Sequence, residues 1–270
     1  MKKIILFSPN GYIGGFVKKR IQENEDVLLH VMTRDSNPEQ YQEDYDILIY
    51  SASITSARHE TAEKYVQDNV VTAVKIVDFC KVHHIKKIIY LSSDEIYGEL
   101  HADMVTAKTI MVNPNLYAIT KCLAEKIVME SGIAYYILRL PGVVGRKWGE
   151  TFIYRLMSEI RDHKQIELYN LDRKFNNILD IDDLTRFIEI LCNCEDKNKN
   201  EIFLLGNTEK IELEKIAFYM KKLYHSNSRI INIGAVDKRY FTLDVTKAVE
   251  YGYSSKNIFT IIDELYRIQG

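Results

Sequence analysis

The apolar residues of the first 145 positions follow two alternating patterns. Runs that are apolar at consecutive positions predict buried strands, at 3–8, 26–33, 45–53, 86–93 and 134–145. Between them, apolar residues recur at helical spacing and predict helices at 11–24, 61–84 and 116–131. Strands that are apolar on both faces and alternate with helices indicate a parallel sheet covered on both sides. The predicted fold class is therefore α/β, with a doubly wound parallel sheet.

The pattern loosens after about residue 145. Shorter elements follow, predicted as helices at 151–163 and 212–225, short strands at 166–170 and 201–207, and a strand, an Asp cap and a helix over 176–193. We therefore predict two domains, residues 1–145 and residues 146–270. The second is a smaller α/β domain, and we expect part of it to pack back on the first.

Composition excludes several classes of partner. The chain has 270 residues, of which 46 % are hydrophobic and 27 % charged, as in ordinary globular proteins. A formal net charge of −2 gives no general attraction to nucleic acid or to a membrane surface. No apolar run approaches the ~18 residues that span a bilayer, and the apolar N-terminal segment is too short for a signal peptide. We predict a cytoplasmic protein with no nucleic acid or membrane partner.

The cysteines and histidines do not predict a metal site. The four cysteines form no CxxC pair, and the seven histidines show no metal-ligating spacing on a helix. Small buried side chains explain the cysteines better than ligands do.

A glycine-containing turn, "FSPNGYIGG", follows the first predicted strand and opens the first predicted helix. Gly11 and Gly14 have the spacing of the last two glycines of a dinucleotide-binding fingerprint. Gly11 would let the backbone approach a pyrophosphate, and Gly14 would let the helix lie close to the strand. Ser8 occupies the place of the first glycine. The turn predicts a Rossmann-type phosphate site at the N-terminus of the helix, with a plain tight turn as the alternative.

The end of the second predicted strand bears on the choice of cofactor. It reads "MTRD", and Arg34 lies 20 residues after Gly14, where dinucleotide sites usually place an acid that binds the ribose. A guanidinium suits a 2′-phosphate, so we predict NADP(H) as the preferred cofactor. Asp35 is adjacent and leaves NAD(H) open.

Two further stretches carry candidate catalytic groups. "YAITK" places Tyr117 and Lys121 four apart on a helix, hence on one face, and a lysine beside a tyrosine favours the phenolate. Such a tyrosine can act as general acid or base on a sugar hydroxyl or ketone. "LSSDEIYG" ends a buried strand in Ser92 and Ser93 about 24 residues earlier, which supplies a hydroxyl to the same oxygen.

At these residues the sequence resembles the extended short-chain dehydrogenase/reductase family of nucleotide-sugar epimerases, dehydratases and reductases. The resemblance is carried by "SPNGYIGG", "YVQDNVVTAVKIVDFCKVHHIKKIIYLSSDEIYG", "NPNLYAITKCLAEK", "LRLPGVVG", "DRKFNNILDIDDLTRFIEIL" and "LDVTKAVEYGY". It implies a Rossmann domain over 1–145 and a mainly substrate-binding domain over 146–270.

The resemblance also implies roles for individual residues. The implied catalytic residues are Ser93, Tyr117 and Lys121. The implied cofactor-binding residues are Ser8, Asn10, Gly11, Tyr12, Ile13, Gly14, Arg34, Ala52, Asn69, Ser92, Tyr117, Lys121 and Pro141. The implied substrate-binding residues are Ser93, Gly142, Arg173 and Arg239, the two arginines contacting the diphosphate of a nucleotide sugar. Members of the family often form homodimers through the helices at about 61–84 and 116–131, so we expect a homodimer.

Asp94 and Glu95 leave the reaction open. In the sugar 4,6-dehydratases that this stretch resembles, the aspartate protonates the leaving hydroxyl and the glutamate removes the C5 proton. Against that, only about 11 residues separate the second and third strands, and "TRD" resembles a reductase that takes up NADPH. Our first interpretation is an NADP(H)-dependent reductase or epimerase of a 4-keto nucleotide sugar. The alternatives are a 4,6-dehydratase using Asp94 and Glu95, and a non-catalytic dinucleotide-binding sensor.

Overall fold

The computed structural model of the protein describes residues 1–41, 43–51, 59–146, 149–194, 199–234 and 239–269. Its strands are β1 (Lys2–Phe7), β2 (Val27–Met32), β3 (Ile47–Tyr50), β4 (Lys87–Ser93), β5 (His101–Val105), β6 (Ala134–Leu140), β7 (Gly142–Val144), β8 (Ile166–Leu168), β9 (Lys174–Phe175), β10 (Ile178–Asp180), β11 (Glu201–Leu204), β12 (Ile211–Glu212), β13 (Ile230–Asn232) and β14 (Tyr240–Leu243). Its α-helices are α1 (Tyr12–Gln22), α2 (Ala62–Tyr65), α3 (Thr72–Val82), α4 (Leu116–Met129), α5 (Phe152–Arg161), α6 (Ile181–Asn193), α7 (Leu213–Leu223), α8 (Thr246–Glu250) and α9 (Ile258–Gln269).

A six-stranded sheet in the order β11-β6-β4-β3-β1-β2 forms the centre of the first compact unit. Strand β1 pairs in parallel with β2 on one side and with β3 on the other, and β3 pairs in parallel with β4. The predicted α/β class with a parallel central sheet is confirmed. The strand order reverses at β1, and ligands of such sheets bind outside the carboxyl ends of the strands at this switch point.

The chain divides into two compact units that interleave along the sequence. The first unit contains Met1–Ile96, Pro114–Arg139 and Thr185–Phe203, and the second contains Tyr97–Asn113, Leu140–Leu184 and Leu204–Gly270. The strand at 201–204, which follows the predicted boundary at 145/146, joins the sheet of the first unit beside β6. The predicted division into 1–145 and 146–270 stays a prediction.

The core of the first unit explains why its strands are apolar throughout. Alternate residues such as Ile5, Leu48 and Ile88 pack against α3 and α4, with Ile76 and Ala124 among their partners. Successive strand residues point to opposite faces, so the residues between them, which are also buried, cover the other side of the sheet. Both faces of the sheet are therefore buried.

The second unit has its own core and several short strand pairs. Helices α5, α7 and α9 contribute Met157, Ile216 and Ile262 to one buried cluster. Strand β7 pairs with β10, β8 with β13, β9 with β12 and β5 with β14. The β5–β14 pair joins segments about 140 residues apart, and the sequence did not predict it.

Two predicted elements are interrupted. The strand predicted at 134–145 is two strands, because Pro141 lacks a backbone N–H and separates β6 from β7. The helix predicted at 61–84 contains a π-helical turn, Val66–Val71, between α2 and α3. Turns of this kind are often found at functional sites.

Neither a membrane-spanning helix nor a metal-binding cluster occurs among the described residues. No helix among them is long and apolar enough to cross a bilayer. The same residues contain no group of three or more His, Cys, Asp or Glu side chains placed to hold a metal ion.

Candidate active site

The turn after β1 has a backbone conformation that suits a phosphate site. Ser8 has φ of +69°, in the left-handed region that favours glycine, and its N–H donates to Met32 O at 2.8 Å. Ser8 thus adopts a glycine-like conformation at the position where the fingerprint has a glycine. Gly11 then caps the N-terminus of α1 without a side-chain hydrogen bond. The turn therefore leaves the first N–H groups of α1 at the switch point of the sheet, where an anion would be stabilised.

At Gly14, α1 lies directly against the turn that follows β1. A Cβ atom at this residue would lie 2.1 Å from Ser8 O and 3.0 Å from Ser51 Oγ. Ser51 in turn donates its hydroxyl to Phe7 O at 2.8 Å, which ties the end of β3 to the end of β1. The absence of a side chain at Gly14 thus lets α1 start directly against the turn.

The carboxyl end of β4 places three polar side chains in a buried position. Ser92, Ser93 and Asp94 are each less than one-tenth exposed. Ser93 Oγ accepts a hydrogen bond from the N–H of Glu95 at 3.1 Å. Ser92 Oγ is buried and has no hydrogen-bond partner among the residues that the structure describes. A buried hydroxyl in this state is costly unless a ligand completes it.

Lys121 is fully buried under the end of β4. Its Nζ donates to Leu91 O at 2.6 Å and lies 4.2 Å from the centroid of the Tyr90 ring. Burial lowers the pKa of Lys121 to about 7, and the nearby Glu125 carboxylate opposes part of that shift. The Lys121 ammonium is therefore held at Leu91, the residue before Ser92, and its lowered pKa lets it release a proton near neutral pH.

Glu125 and Arg139 are partners of this site that the sequence analysis missed. Arg139 donates to both carboxylate oxygens of Glu125, at 3.1 Å from Nε and 2.8 Å from Nη2, and both side chains are nearly completely buried. Such two-pronged pairs fix the geometry strongly. The signal in the sequence was the glutamate four residues after Lys121, which places both on one face of α4.

Tyr117 is positioned by a hydrogen-bond chain that begins in the π-helical turn. Asn69 Nδ2 donates to Thr120 Oγ1 at 3.0 Å, and Thr120 Oγ1 donates to Tyr117 O at 2.8 Å. The Tyr117 ring lies 6.1 Å from the Tyr65 ring, and Tyr117 is 6 % exposed. Asn69, predicted to support the cofactor site, thus contacts the helix that carries the candidate catalytic tyrosine.

Asn115 connects Glu95 to the same helix. Its Oδ1 accepts from Ala118 N at 2.8 Å and caps α4, while its Nδ2 donates to Glu95 Oε2 at 3.2 Å. Asn115 was not predicted as a site residue. It holds the candidate base Glu95 at the N-terminus of the helix, two residues before Tyr117.

Arg34 lies two residues beyond β2, and its guanidinium is paired with a carboxylate. Nη1 of Arg34 lies 2.6 Å from Asp68 Oδ1, and the Arg34 side chain is 41 % exposed. Asp68 belongs to the π-helical turn and was not predicted. The predicted phosphate ligand therefore already has one anionic partner in the protein.

The remaining predicted residues fall into three groups. Tyr12 and Ile13 open α1 and are half-buried, with Asn10 exposed just before them. Pro141, Gly142, Arg173 and Arg239 belong to the second unit. Ala52 lies outside the described residues.

The two predicted diphosphate-binding arginines each lie near an aromatic ring of β14 in the second unit. The Arg173 guanidinium is 5.8 Å from the Tyr240 ring centroid, and that of Arg239 is 4.7 Å from the Phe241 ring centroid. The Arg173 side chain is half exposed, and its Nη1 lies 3.8 Å from Asp103 Oδ1. Tyr240 and Phe241 are consecutive strand residues whose side chains point to opposite faces, so these contacts do not by themselves bring the two guanidinium groups together.

The first unit offers the features that a nicotinamide dinucleotide requires. Gly14, which has no side chain, and the N-terminus of α1 lie at the switch point of the sheet. The buried hydroxyl of Ser92 lies at the carboxyl end of β4. Tyr50, which ends β3, has a second buried hydroxyl with no hydrogen-bond partner among the described residues. These residues fit such a cofactor.

Comparison with known proteins points in the same direction. A model of the NAD dependent epimerase/dehydratase family matches residues 9–206. A dTDP-D-glucose 4,6-dehydratase of Dictyostelium discoideum is 25 % identical over 170 residues. That match covers 55 % of this chain and 38 % of the relative, so the chain spans less than half of the relative's length.

Solved structures with a similar fold include two that hold a bound nicotinamide dinucleotide. The UDP-glucuronic acid 4-epimerase of Bacillus cereus, in complex with NAD, superposes with a TM-score of 0.82 at 16 % identity, covering 99 % of this chain and 100 % of that one. RMD of Pseudomonas aeruginosa, complexed with NADPH, has a TM-score of 0.78 at 13 % identity, covering 99 % of this chain and 98 % of that one. Proteins of this fold therefore include both NAD and NADPH complexes.

Proposed function

Because the chain belongs to the NAD dependent epimerase/dehydratase family, we propose that it is an NADP(H)-dependent enzyme that reduces or epimerises a nucleotide-linked 4-keto sugar. The observation that carries this proposal is the position of Lys121, whose Nζ donates to Leu91 O at 2.6 Å beside the buried Ser92 and Ser93. Tyr117 precedes Lys121 by one helical turn on the same face.

Each polar group has a distinct task in this proposal. Tyr117 donates a proton to the sugar oxygen or removes one from it, as a positioned general acid or base. Ser93 binds the same oxygen through its hydroxyl. Lys121 in its protonated form places positive charge one helical turn from Tyr117 and favours the phenolate. A bound nicotinamide dinucleotide supplies the hydride chemistry, with the turn at Ser8–Gly14 against its pyrophosphate.

Arg34 supports the preference for NADP(H). One nitrogen of its guanidinium pairs with Asp68, and the half-exposed group has further N–H donors for a 2′-phosphate. We expect Arg34→Ala to weaken the binding of NADPH by about tenfold or more and the binding of NADH by much less. Titration of both reduced nucleotides by their fluorescence measures the two dissociation constants. Equal weakening of the two nucleotides would remove the 2′-phosphate assignment.

A 4,6-dehydratase is the second candidate, and a specific observation favours it. Asp94 is buried, and Glu95 is held by Asn115 at the N-terminus of the helix that carries Tyr117. Two carboxylates in different environments suit an elimination, in which one acts as acid and the other as base.

The two candidates respond differently to loss of the Glu95 carboxylate. We expect Glu95→Gln to abolish dehydration and to leave reduction of a 4-keto sugar nearly unchanged, because only elimination needs a base at C5. Product analysis by mass spectrometry, with and without NADPH, distinguishes the two activities. Glu99→Gln is the matched control, since Glu99 accepts from Asn113 Nδ2 at 2.8 Å much as Glu95 accepts from Asn115. Loss of reduction in Glu95→Gln alone would contradict the assignment of Glu95 to elimination.

The proposal also includes the site of the sugar nucleotide. In it, Arg173 and Arg239 bind the diphosphate, and Gly142 lies beside the substrate.

We also propose that the protein is a homodimer. Exposed apolar side chains on α3 and α4, including Val74, Ile119 and Leu123, support a dimer that forms through these helices.

A further inference from the structure

The π-helical turn between α2 and α3 gives two consecutive residues different partners. Asp68 and Asn69 are 4 % and 1 % exposed. Neighbouring residues of a helix point in different directions, so these two reach different parts of the unit. Asn69 contacts Thr120 in α4, whereas Asp68 contacts Arg34 beyond β2. The turn therefore links the helix of Tyr117 to the predicted cofactor-specificity residue.

Asp68 forms ion pairs through both of its carboxylate oxygens. Oδ1 lies 2.6 Å from Arg34 Nη1, and Oδ2 lies 2.7 Å from Lys64 Nζ. The carboxylate is buried, while the two cationic side chains are 41 % and 48 % exposed. The Arg34 contact is also a hydrogen bond, from Nη1 to Oδ1, and hydrogen bonds between charged groups are strong ones. The Lys64 contact is an ion pair without hydrogen-bond geometry at Oδ2. The three residues together carry a formal charge of +1.

The Arg34–Asp68 pair lies near the switch point of the sheet. Strand β2 ends beside the phosphate turn, since Ser8 N donates to Met32 O. Tyr50, at the end of β3, is close enough to respond to the triad electrostatically. Burial raises the pKa of its phenol, and Arg34 opposes this shift while Asp68 adds to it. The ion pair of Arg34 and Asp68 thus lies near the carboxyl ends of β1, β2 and β3.

We propose that Asp68 is a specificity-determining residue, which sets how strongly Arg34 attracts the 2′-phosphate of a dinucleotide. The inference rests on the proposed role of Arg34 in cofactor binding. The Asp68 carboxylate offsets part of the guanidinium charge. A 2′-phosphate therefore gains less electrostatic binding free energy at Arg34 than it would at an unpaired cation. Lys64 competes for the same carboxylate and thereby increases the charge that Arg34 presents. The ratio of NADPH to NADH affinity is therefore adjusted by residues of the π-helical turn and α2.

Two substitutions are expected to move this ratio in opposite directions. Asp68→Asn removes the negative charge and should raise the preference for NADPH over NADH by about 5–30-fold. Lys64→Gln leaves the carboxylate to Arg34 alone and should lower that preference several-fold. Lys64 is half exposed, so this variant tests the proposal even where Asp68→Asn fails to fold. Lys75→Gln, an exposed position on α3 with the same change of charge, is the matched control and should leave the ratio unchanged.

The experiment is the titration of purified wild-type and variant protein with NADPH and with NADH, followed by nicotinamide fluorescence. The Asp68→Asn effect should largely disappear in the Arg34→Ala background, because the triad acts through Arg34. An unchanged ratio in both Asp68→Asn and Lys64→Gln, with a shifted ratio in Arg34→Ala, would overturn the role of Asp68 and leave that of Arg34 intact. No change in any of the three would instead overturn the proposed cofactor preference and this inference with it. A wild-type protein that binds neither nucleotide would overturn the proposed function itself.

Discussion

Replacing Tyr117 by phenylalanine is expected to lower kcat by about 10²–10⁴-fold, the usual contribution of a positioned general acid or base. The substitution removes only the hydroxyl. The ring keeps its place beside Tyr65, at a centroid distance of 6.1 Å, so folding and cofactor binding should be preserved. Turnover at saturating nucleotide and sugar measures the loss, and thermal unfolding checks the fold.

Tyr65→Phe is the matched control for that experiment. It removes a hydroxyl from the other ring of the same pair and should retain most of the turnover, because Tyr65 has no proposed role in proton transfer. Turnover of Tyr117→Phe close to that of the wild type would exclude Tyr117 as the acid or base. Equal losses in both variants would show that the loss of turnover is not specific to the Tyr117 hydroxyl.

Gly14→Ala is expected to produce the largest structural effect of a single methyl group in the phosphate turn. The new Cβ would lie 2.1 Å from Ser8 O, a backbone atom that cannot rotate away. Overpacking usually costs about 1–3 kcal/mol, and here relief requires α1 to move away from the turn at Ser8. The same movement displaces the helix N-terminus, so nucleotide binding should be lost together with stability. Urea unfolding and nucleotide titration measure the two effects.

The adjacent Gly15 provides the control within the same helix. A Cβ at Gly15 would have Pro9 O at 3.7 Å as its nearest neighbour, which is ordinary contact. Alanine is favoured over glycine in a helix interior by up to about 1 kcal/mol, so Gly15→Ala should be neutral or stabilising. If Gly14→Ala behaves like Gly15→Ala, the close approach of α1 to β1 does not decide the shape of the turn.

Much of the first unit could be predicted because the pattern of apolar residues in each element depends directly on which of its faces are buried. A strand with both faces buried must be apolar at nearly every position. The sequence therefore predicts β1, β3 and β4 to within three residues at each end. Polar residues that end such a strand, such as Ser92 and Ser93, then stand out. The spacing of four between Tyr117 and Lys121 likewise predicted one helix face for both residues, and both lie on α4.

Features that depend on distant partners could not be predicted in this way. The sequence around Asp68 contains nothing to indicate its ion pair with Arg34, which lies 34 residues earlier in the chain. The pair of Glu125 and Arg139 required knowing that α4 lies on β6. Strands β5 and β14 are short and partly polar, and their pairing joins segments about 140 residues apart. Non-local contacts of this kind leave no periodic signal in the sequence.

The most direct test is nicotinamide absorbance of the purified protein with NADPH or NADH and a panel of nucleotide-linked 4-keto-6-deoxy sugars. We expect NADPH to be consumed with at least one of these sugars, and the consumption to be lost in Tyr117→Phe. The contrary result is no consumption with any of them, while a nucleotide hexose yields a 4-keto product without net change of the cofactor. That result would assign the chemistry to Asp94 and Glu95 as a dehydratase.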